Sequence, residues 1–225
     1  MIEQLLTHYP QKTLLPPAEF RGEVATEGFI NGLELASAIN LTRGTAQHTD
    51  SPWLHFILDD VELYVAKKTY RHSISWNHIN AVDAVFGTTI EIKGKAYKVR
   101  LLKSVASGDM YTGGTNIYDP EEAYGSEWNR LMYPIHSGNH IESRNPSSVS
   151  GEGLHFGTLA QYTDADLVVH LDVGNGSYSW CQETASTDTR GRVRHGHRGV
   201  SSLGWSPASN ATAYFGWRPV LELVS

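Results

Sequence analysis

"YFGWRPVLELVS", Tyr214–Ser225, is the stretch on which the fold turns. Trp217, Pro219, Leu221 and Leu223 alternate with Arg218, Val220, Glu222 and Val224, the period-two pattern of a strand. Chain ends are usually polar and loosely held, so a patterned strand this late is expected to belong to the core. It would return to pair with an early strand, for instance "ELYVAKK" at 62–68. Pro219 has no N–H to give to a ladder, which places it at an edge, a bulge or a strand start. Arg218, once enclosed, needs backbone carbonyls or a carboxylate as partners.

Upstream, "WLHFIL" from Trp53 reads as a buried strand, "DD" as a turn and "VELYVAKK" as its partner. Ser75 offers an N-cap to "WNHINAVDAVFG", where Trp76, Ile79 and Phe86 recur at helical spacing and Gly87 stops the helix. "TTIEIKGKAYKVRLL" is a hairpin about Lys93-Gly94. Asp119, followed by Pro120, is expected to cap a second helix that buries Tyr124, Trp128, Leu131 and Met132 and ends at Pro134. "ADLVVHLDV", "GSYSWCQET" and "RGRVRHGHRGVSS" read as short strands within Gly-, Ser-, Asn- and Thr-rich stretches at 136–162 and 184–213, long for loops and therefore candidates for function.

Before Trp53 the pattern is thinner. "LLPPAEFRGEV" is extended, and "NGLELASAIN" is a short helix with Asn31 as cap and Glu34 at the capping-box position. A boundary near residue 50 divides an N-terminal arm or docking segment, 1–50, too poor in apolar residues to fold alone and so expected to pack on a partner or on the main domain, from a domain at 51–225. The order of elements defines an α+β domain, a mostly antiparallel sheet with two flanking helices and long loops.

The totals agree with a folded, soluble protein: 225 residues, 40% apolar and 19% charged. A formal charge of −6 argues against a general nucleic-acid binder. No basic n-region with an apolar stretch opens the chain, and no apolar run approaches the roughly 18 residues of a membrane span. Cys181 is the only cysteine, which excludes an internal disulfide and a Cys-rich zinc site.

"LYVAKKTYRHSISWNHINA", "YKVRLLK", "GSEWNRLMYP", "SWCQET" and "GWRPVLEL" together resemble a recurrent set in tailed-bacteriophage virion proteins, often tail fibres or other exposed structural parts. The last also resembles the final strand of C-type-lectin-like domains of the formylglycine-generating-enzyme and tropism-determinant type. The resemblance spans most of 53–136 and 176–225. It implies a lectin-like fold whose first and last strands pair, with irregular loops projecting from one end. It does not bring activity with it, because one fold hosts many functions.

The richest cluster of charge is "TRGRVRHGHRG", Arg190, Arg192, Arg194, His195, His197 and Arg198. Strand alternation pairs Arg192 with Arg194 and His195 with His197. The plain role is a solvated strand and loop; the functional one is contact with an acidic glycan, a phosphate-bearing polymer or an acidic patch on a neighbouring subunit. A metal at the His pair lacks a third ligand. Asp164, Asp166, Asp172 and Asn175 would be scattered by strand alternation, and no Glu-Pro-Asn or Gln-Pro-Asp tripeptide of sugar-binding lectins occurs, so they read as turn formers rather than calcium ligands. Cys181 is alone where the formylglycine-generating enzymes use a pair, and reads as a core residue. Trp76, Trp128, Trp180 and Trp217 belong to regular elements and the core, leaving Trp205 as the loop tryptophan free to stack on a sugar.

These features lead to an expectation of a non-enzymatic structural component of a tailed-phage virion (tail fibre, baseplate or capsid decoration), made in the host cytoplasm. Its partners would be other virion proteins and further copies of itself in a symmetric oligomer. No cofactor, metal, nucleic acid or membrane insertion is expected. The alternative is an adhesin that touches a host receptor or surface polysaccharide through Arg192, Arg194, His195, His197 and Trp205.

Overall fold

The computed structural model describes residues 17–104, 110–111, 126–136, 161–168, 174–185, 189–197, 199–200 and 203–224. In chain order the first half holds β1 (Glu19–Val24), α1 (Gly32–Ala38), β2 (Thr45–Ala46), β3 (Trp53–Leu58), β4 (Val61–Ala66), β5 (Arg71–His72) and α2 (Trp76–Asn80). A hairpin of β6 (Thr88–Ile92) and β7 (Lys95–Arg100) follows, then β8 (Met110–Tyr111), α3 (Glu127–Ile135) and α4 (Asp164–Leu167). The last strands are β9 (Tyr178–Ala185), β10 (Gly191–Gly196), β11 (Leu203–Pro207), β12 (Phe215–Trp217) and β13 (Val220–Leu223). The result is an α+β protein of mostly antiparallel sheets and few helices.

Two sheets carry the fold. One runs β1-β3-β4-β13-β7-β6 and the other β11-β10-β9-β12-β5-β2. The final strand is an interior member of the first, with Leu221 opposite Tyr64 on β4 and Val99 on β7, antiparallel on both sides. The expected pairing with "ELYVAKK" is therefore present. The strand just before it, β12, lies in the second sheet between β9 and β5. The dipeptide Arg218-Pro219 thus carries the chain from one sheet to the other. Pro219 sits immediately before β13 and offers only its carbonyl, which accepts from the Ala66 N–H at 3.0 Å. The first strand does not meet the last: β3 and β4 stand between β1 and β13.

Local chemistry makes the hairpins. Asp59 and Asp60, at φ +49° and +64°, join β3 to β4, and Lys93 and Gly94, at +51° and +78°, join β6 to β7. Two residues of positive φ form the type I′ turn whose twist matches antiparallel strands, and short Asp, Asn and Gly residues tolerate it best. Alternation then divides the first sheet between two cores. Leu54, Phe56, Leu63 and Val65 pack with Trp128 and Leu131 of α3. Trp53, Ala66, Val99 and Leu221 turn the other way and pack with Leu35 of α1 and Ile79 of α2.

Several expectations need correction. The described part of 1–50 packs on the main domain, one of the two expected arrangements, and is continuous with its sheet and core: β1 pairs with β3 from Glu19↔Ile57 to Val24↔Trp53, and Leu35, Ala36 and Ile39 enter the core. Its low apolar content reflects an edge strand with alternating exposed positions. The α2 helix stops at Asn80, before Gly87. Ser126 caps α3, and Pro134 lies inside it rather than beyond it; the expected start at Asp119 falls outside the described residues. At 164–167 a short helix replaces the expected strand, because the Asp166 carboxylate accepts from the N–H of Thr163 in a capping box. Residues 203–207, expected as loop, form β11.

Two ion clusters tie α3 to the first sheet. Arg100 is buried and makes a bidentate pair with Glu127 at 2.7 and 2.8 Å while its Nε donates to Glu222 at 2.6 Å. Burial alone would lower its pKa, but the two carboxylates outweigh that and hold it above the ordinary value. Arg130 makes a second bidentate pair, with Asp59 at 2.6 Å on both arms.

The Arg130 hydrogen bonds lower the pKa of Asp59. A carboxylate depressed in the folded state adds stability that is complete above its unfolded value and lost as pH falls through its folded value. Asp59→Asn should cost about 1 kcal/mol at neutral pH, the upper end for exposed pairs, because Asp59 faces solvent while Arg130 is buried. In urea titrations that deficit should shrink as pH drops below 3.8, the ordinary aspartate value. A deficit that stayed constant with pH would exclude the ion pair as its source.

Candidate functional site

The segment 189–221 contains no Asp or Glu but holds Arg190, Arg192, Arg194, Arg198 and Arg218, in a chain whose net charge is −6. Three of its strands, β10, β11 and β12, belong to the second sheet. Along β10, Gly191, Val193 and His195 are buried while Arg192 and Arg194 are half-buried, so the arginines share a face.

Both arginines are fixed over aromatic rings. The Arg192 guanidinium lies 4.4 Å from the centre of the Trp76 ring, and its Nη1 donates to the carbonyls of Thr189 at 2.8 Å and Gly191 at 2.9 Å. The Arg194 guanidinium lies 3.7 Å from the centre of Tyr178, and its Nε donates to the Ser206 hydroxyl at 2.8 Å. Such contacts are worth about 0.5–2 kcal/mol, more as solvent is excluded. Gly204 stands opposite Arg194 on β11, and a Cβ there would come within 3.3 Å of the guanidinium. The missing side chain lets Arg194 lie close to the strand. Partial burial lowers the pKa of Arg192, but the group stays charged at neutral pH.

The rest of the face is aromatic. His197 stacks on Tyr178 with centroids 4.5 Å apart, and Tyr214 meets His197 edge-on. At the other end Phe86 meets Trp76 edge-on. Phe86 and Tyr214 are the exposed rings, at 55% and 39%. The face therefore has cations in the middle and accessible rings at both ends.

The sequence expectation grouped these residues differently. Arg192 and Arg194 do lie together. His195 and His197 do not: Gly196 at φ +96° and His197 at φ +76° break the alternation, sending His197 to the arginine face. His195 points into the core, stacked 4.3 Å from Trp128, with its Nε2 2.5 Å from the Ser104 hydroxyl. Trp205 is not a free loop ring. It sits on β11 opposite Val193 and packs against the core. Trp76 and Tyr178 escape sequence reasoning as site residues, since a helical Trp and a strand Tyr carry no local sign of a cation above them. Arg198 falls outside the described residues.

Glu183, Asp164 and Arg218 each have a structural partner. The Glu183 carboxylate accepts from the Ser104 N–H at 2.7 Å. Asp164 accepts from the Val200 N–H at 2.7 Å and lies 2.9 Å from Nε2 of His136, so it anchors α4 rather than a calcium site. Asp172 falls outside the described residues. Arg218 is fully buried, donates to the Leu167 carbonyl and lies over Trp128. Burial pushes its pKa down to about 10. Cys181 is sealed in the core, and burial, with Glu183 nearby, pushes its thiol pKa well up.

No helix among the described residues is long and apolar enough to cross a membrane. Against known proteins, the chain matches no family model, no curated protein and no solved structure. Fold and site together define an α+β protein of two mostly antiparallel sheets that presents a half-exposed cation–aromatic face.

Cys181 gives a direct check on this division between sealed interior and exposed face. A water-soluble disulfide reagent should leave the native protein unlabelled over hours and react fully in strong denaturant, since only an accessible thiolate attacks. Rapid labelling of native protein would place the thiol in contact with solvent and contradict the packing.

Proposed function

We propose that this chain is a non-enzymatic structural component of a tailed-phage virion, with a C-type-lectin-like domain, that works by binding through its β10 face. The observation that carries the reading is the pair of half-exposed guanidiniums pinned over Trp76 and Tyr178. Arginine, tyrosine and tryptophan are the residues that concentrate binding energy at contact surfaces. The two-sheet frame holds them in place, because β10 is paired on both sides. The five segments that resemble phage virion proteins support the virion assignment. Against a nucleophilic enzyme stand Cys181, sealed with its thiol pKa raised, and the Ser104–His195 pair, both fully buried.

In this reading the partners are neighbouring virion proteins, further copies of the chain in a symmetric oligomer, and the host surface. The position on the particle is a tail fibre, the baseplate or a capsid decoration. An adhesin role is the second reading, favoured by the exposed Tyr214 and Phe86 that flank the cations.

Mass spectrometry of purified particles from infected cells tests the virion assignment. The chain should be present at a stoichiometry of several copies per particle. An Arg192→Ala/Arg194→Ala double variant with unchanged circular dichroism should lose attachment either to the particle or to host cells. Absence of the wild-type chain from particles would refute the virion reading. A double variant that assembles and attaches like wild type would refute the role of the face.

A further inference from the structure

Away from the β10 face, α1 presents Leu33, Ala36, Ser37 and the following Asn40 along one side, at i, i+3, i+4 and i+7. Asn40 takes a left-handed backbone, φ +58°, and the Leu41 N–H donates to the Ala36 carbonyl at 2.8 Å, so the chain turns back beside the helix it has just left. Residues 41–44 run from there to β5. Gly44 comes so close to that strand that a Cβ would lie 2.7 Å from the His72 carbonyl oxygen. Between the helix side, Leu41, Thr42 and Arg71 lies an open recess of about 370 Å³. Small-molecule sites occupy ~300–1,000 Å³.

The recess combines hydrocarbon with one cation. Arg71 Nε donates to the Arg43 carbonyl at 2.7 Å, and Nη2 donates to the carbonyls of Gly44 at 2.8 Å and Thr42 at 3.4 Å. Those carbonyls tie the guanidinium to the loop whose Thr42 lines the recess, and they leave its charge in place. Nη1, with two N–H groups, donates to no described residue and is not buried. No ion pair of Arg71 occurs among the described residues: 35–49 contain no Asp or Glu, and the Glu34 carboxylate on α1 is turned back to accept from the Asn31 N–H. Burial lowers the Arg71 pKa with no carboxylate to offset it, the reverse of Arg100, and a guanidinium stays charged regardless. Leu33 stands beside this cation with 53% of its surface exposed.

We propose that the recess is a binding site for a small aliphatic carboxylate, with Arg71 Nη1 taking the carboxylate and Leu33, Ala36 and Leu41 taking the hydrocarbon. A guanidinium held by its own loop has little freedom left to lose to a ligand. One uncommitted nitrogen suits a singly charged group better than a phosphate, which accepts from more donors than Nη1 offers. In the second sheet β9 and β12 stand between β10 and β5, so this site is separate from the arginine pair of β10.

The test is a titration of the ¹⁵N-labelled full chain with octanoate, followed through its amide resonances. Octanol, octylamine and octyl phosphate are run beside it. Octanoate should shift the amides of 33–42 and of Arg71 saturably, and octanol and octylamine should bind at least tenfold more weakly. Arg71→Gln should weaken octanoate binding at least tenfold. Leu33→Ala should weaken it a few-fold. Ser37→Trp fills the recess from an exposed helix position and should abolish binding without touching the cation. Amide spectra that otherwise match wild type separate these losses from unfolding.

Absence of saturable shifts with octanoate overturns the proposal, as do shifts centred outside 33–42 and Arg71. Equal binding of octanol, or full binding by Arg71→Gln, would remove the cation from recognition. Tighter binding of octyl phosphate than of octanoate would replace the carboxylate. Unimpaired binding by a folded Ser37→Trp would place the ligand outside the recess.

Discussion

The backbone ladder of Val220–Leu223 is the constraint on which the structure depends. It fills the gap between β4 and β7, so that two hairpins otherwise remote from each other become one six-stranded sheet. Three residues earlier the same segment, as β12, joins β9 to β5 in the other sheet. The crossover therefore carries a buried polar load. Arg218 is enclosed, gives one donor to the Leu167 carbonyl, and faces the Trp128 ring. Its Nε and Nη1 find no partner among the described residues. A charge so placed is costly, and replacing it by a hydrophobic residue of similar volume is often neutral or better for stability.

From this stitching the exposed chemistry follows. Because β12 pairs with β9, and β9 with β10, the arginine strand is held between β9 and β11 in a sheet rather than on a loop tip. Rigid elements hold side chains more accurately than loops do. Strand alternation then sorts the β10 residues. His195 is turned inward to Trp128 and Ser104, while Arg192 and Arg194 are turned toward Trp76 and Tyr178. The buried Arg100 meets the carboxylates of Glu127 and Glu222. Arg192 instead meets an indole and two carbonyls.

Much of the frame was legible because it rests on local rules. Alternation in "WLHFIL" and "GWRPVLEL", the Asp-Asp and Lys-Gly turns, and the Asn31 and Ser75 caps are all encoded within a few residues. The partner of β13 was legible too, since a buried strand must find another. What escaped was decided at a distance. β1 alternates exposed positions and contains Gly22 at a register shift, so only its pairing with β3 reveals it as a strand. At Asp164–Leu167 a capping box prevailed over the β-forming valines that follow. The fate of His195 was set by Trp128, 67 positions earlier by subtraction of their numbers. The arginine pair was visible in the sequence, whereas the rings beneath it, one on a helix and one on a strand, were brought there by tertiary structure alone.

Native-state amide hydrogen exchange tests most directly whether the terminal strand and the arginine strand form one cooperative unit. Amides in regions that open only with the whole molecule exchange at the rate set by global stability. The hydrogen-bonded amides of β13 and those of Val193 and His195 in β10 should exchange last, together, and with the free energy of global unfolding. Slow exchange in β13 alongside free, stability-independent exchange in β10 would show that the face is not held by the frame, and would contradict the account.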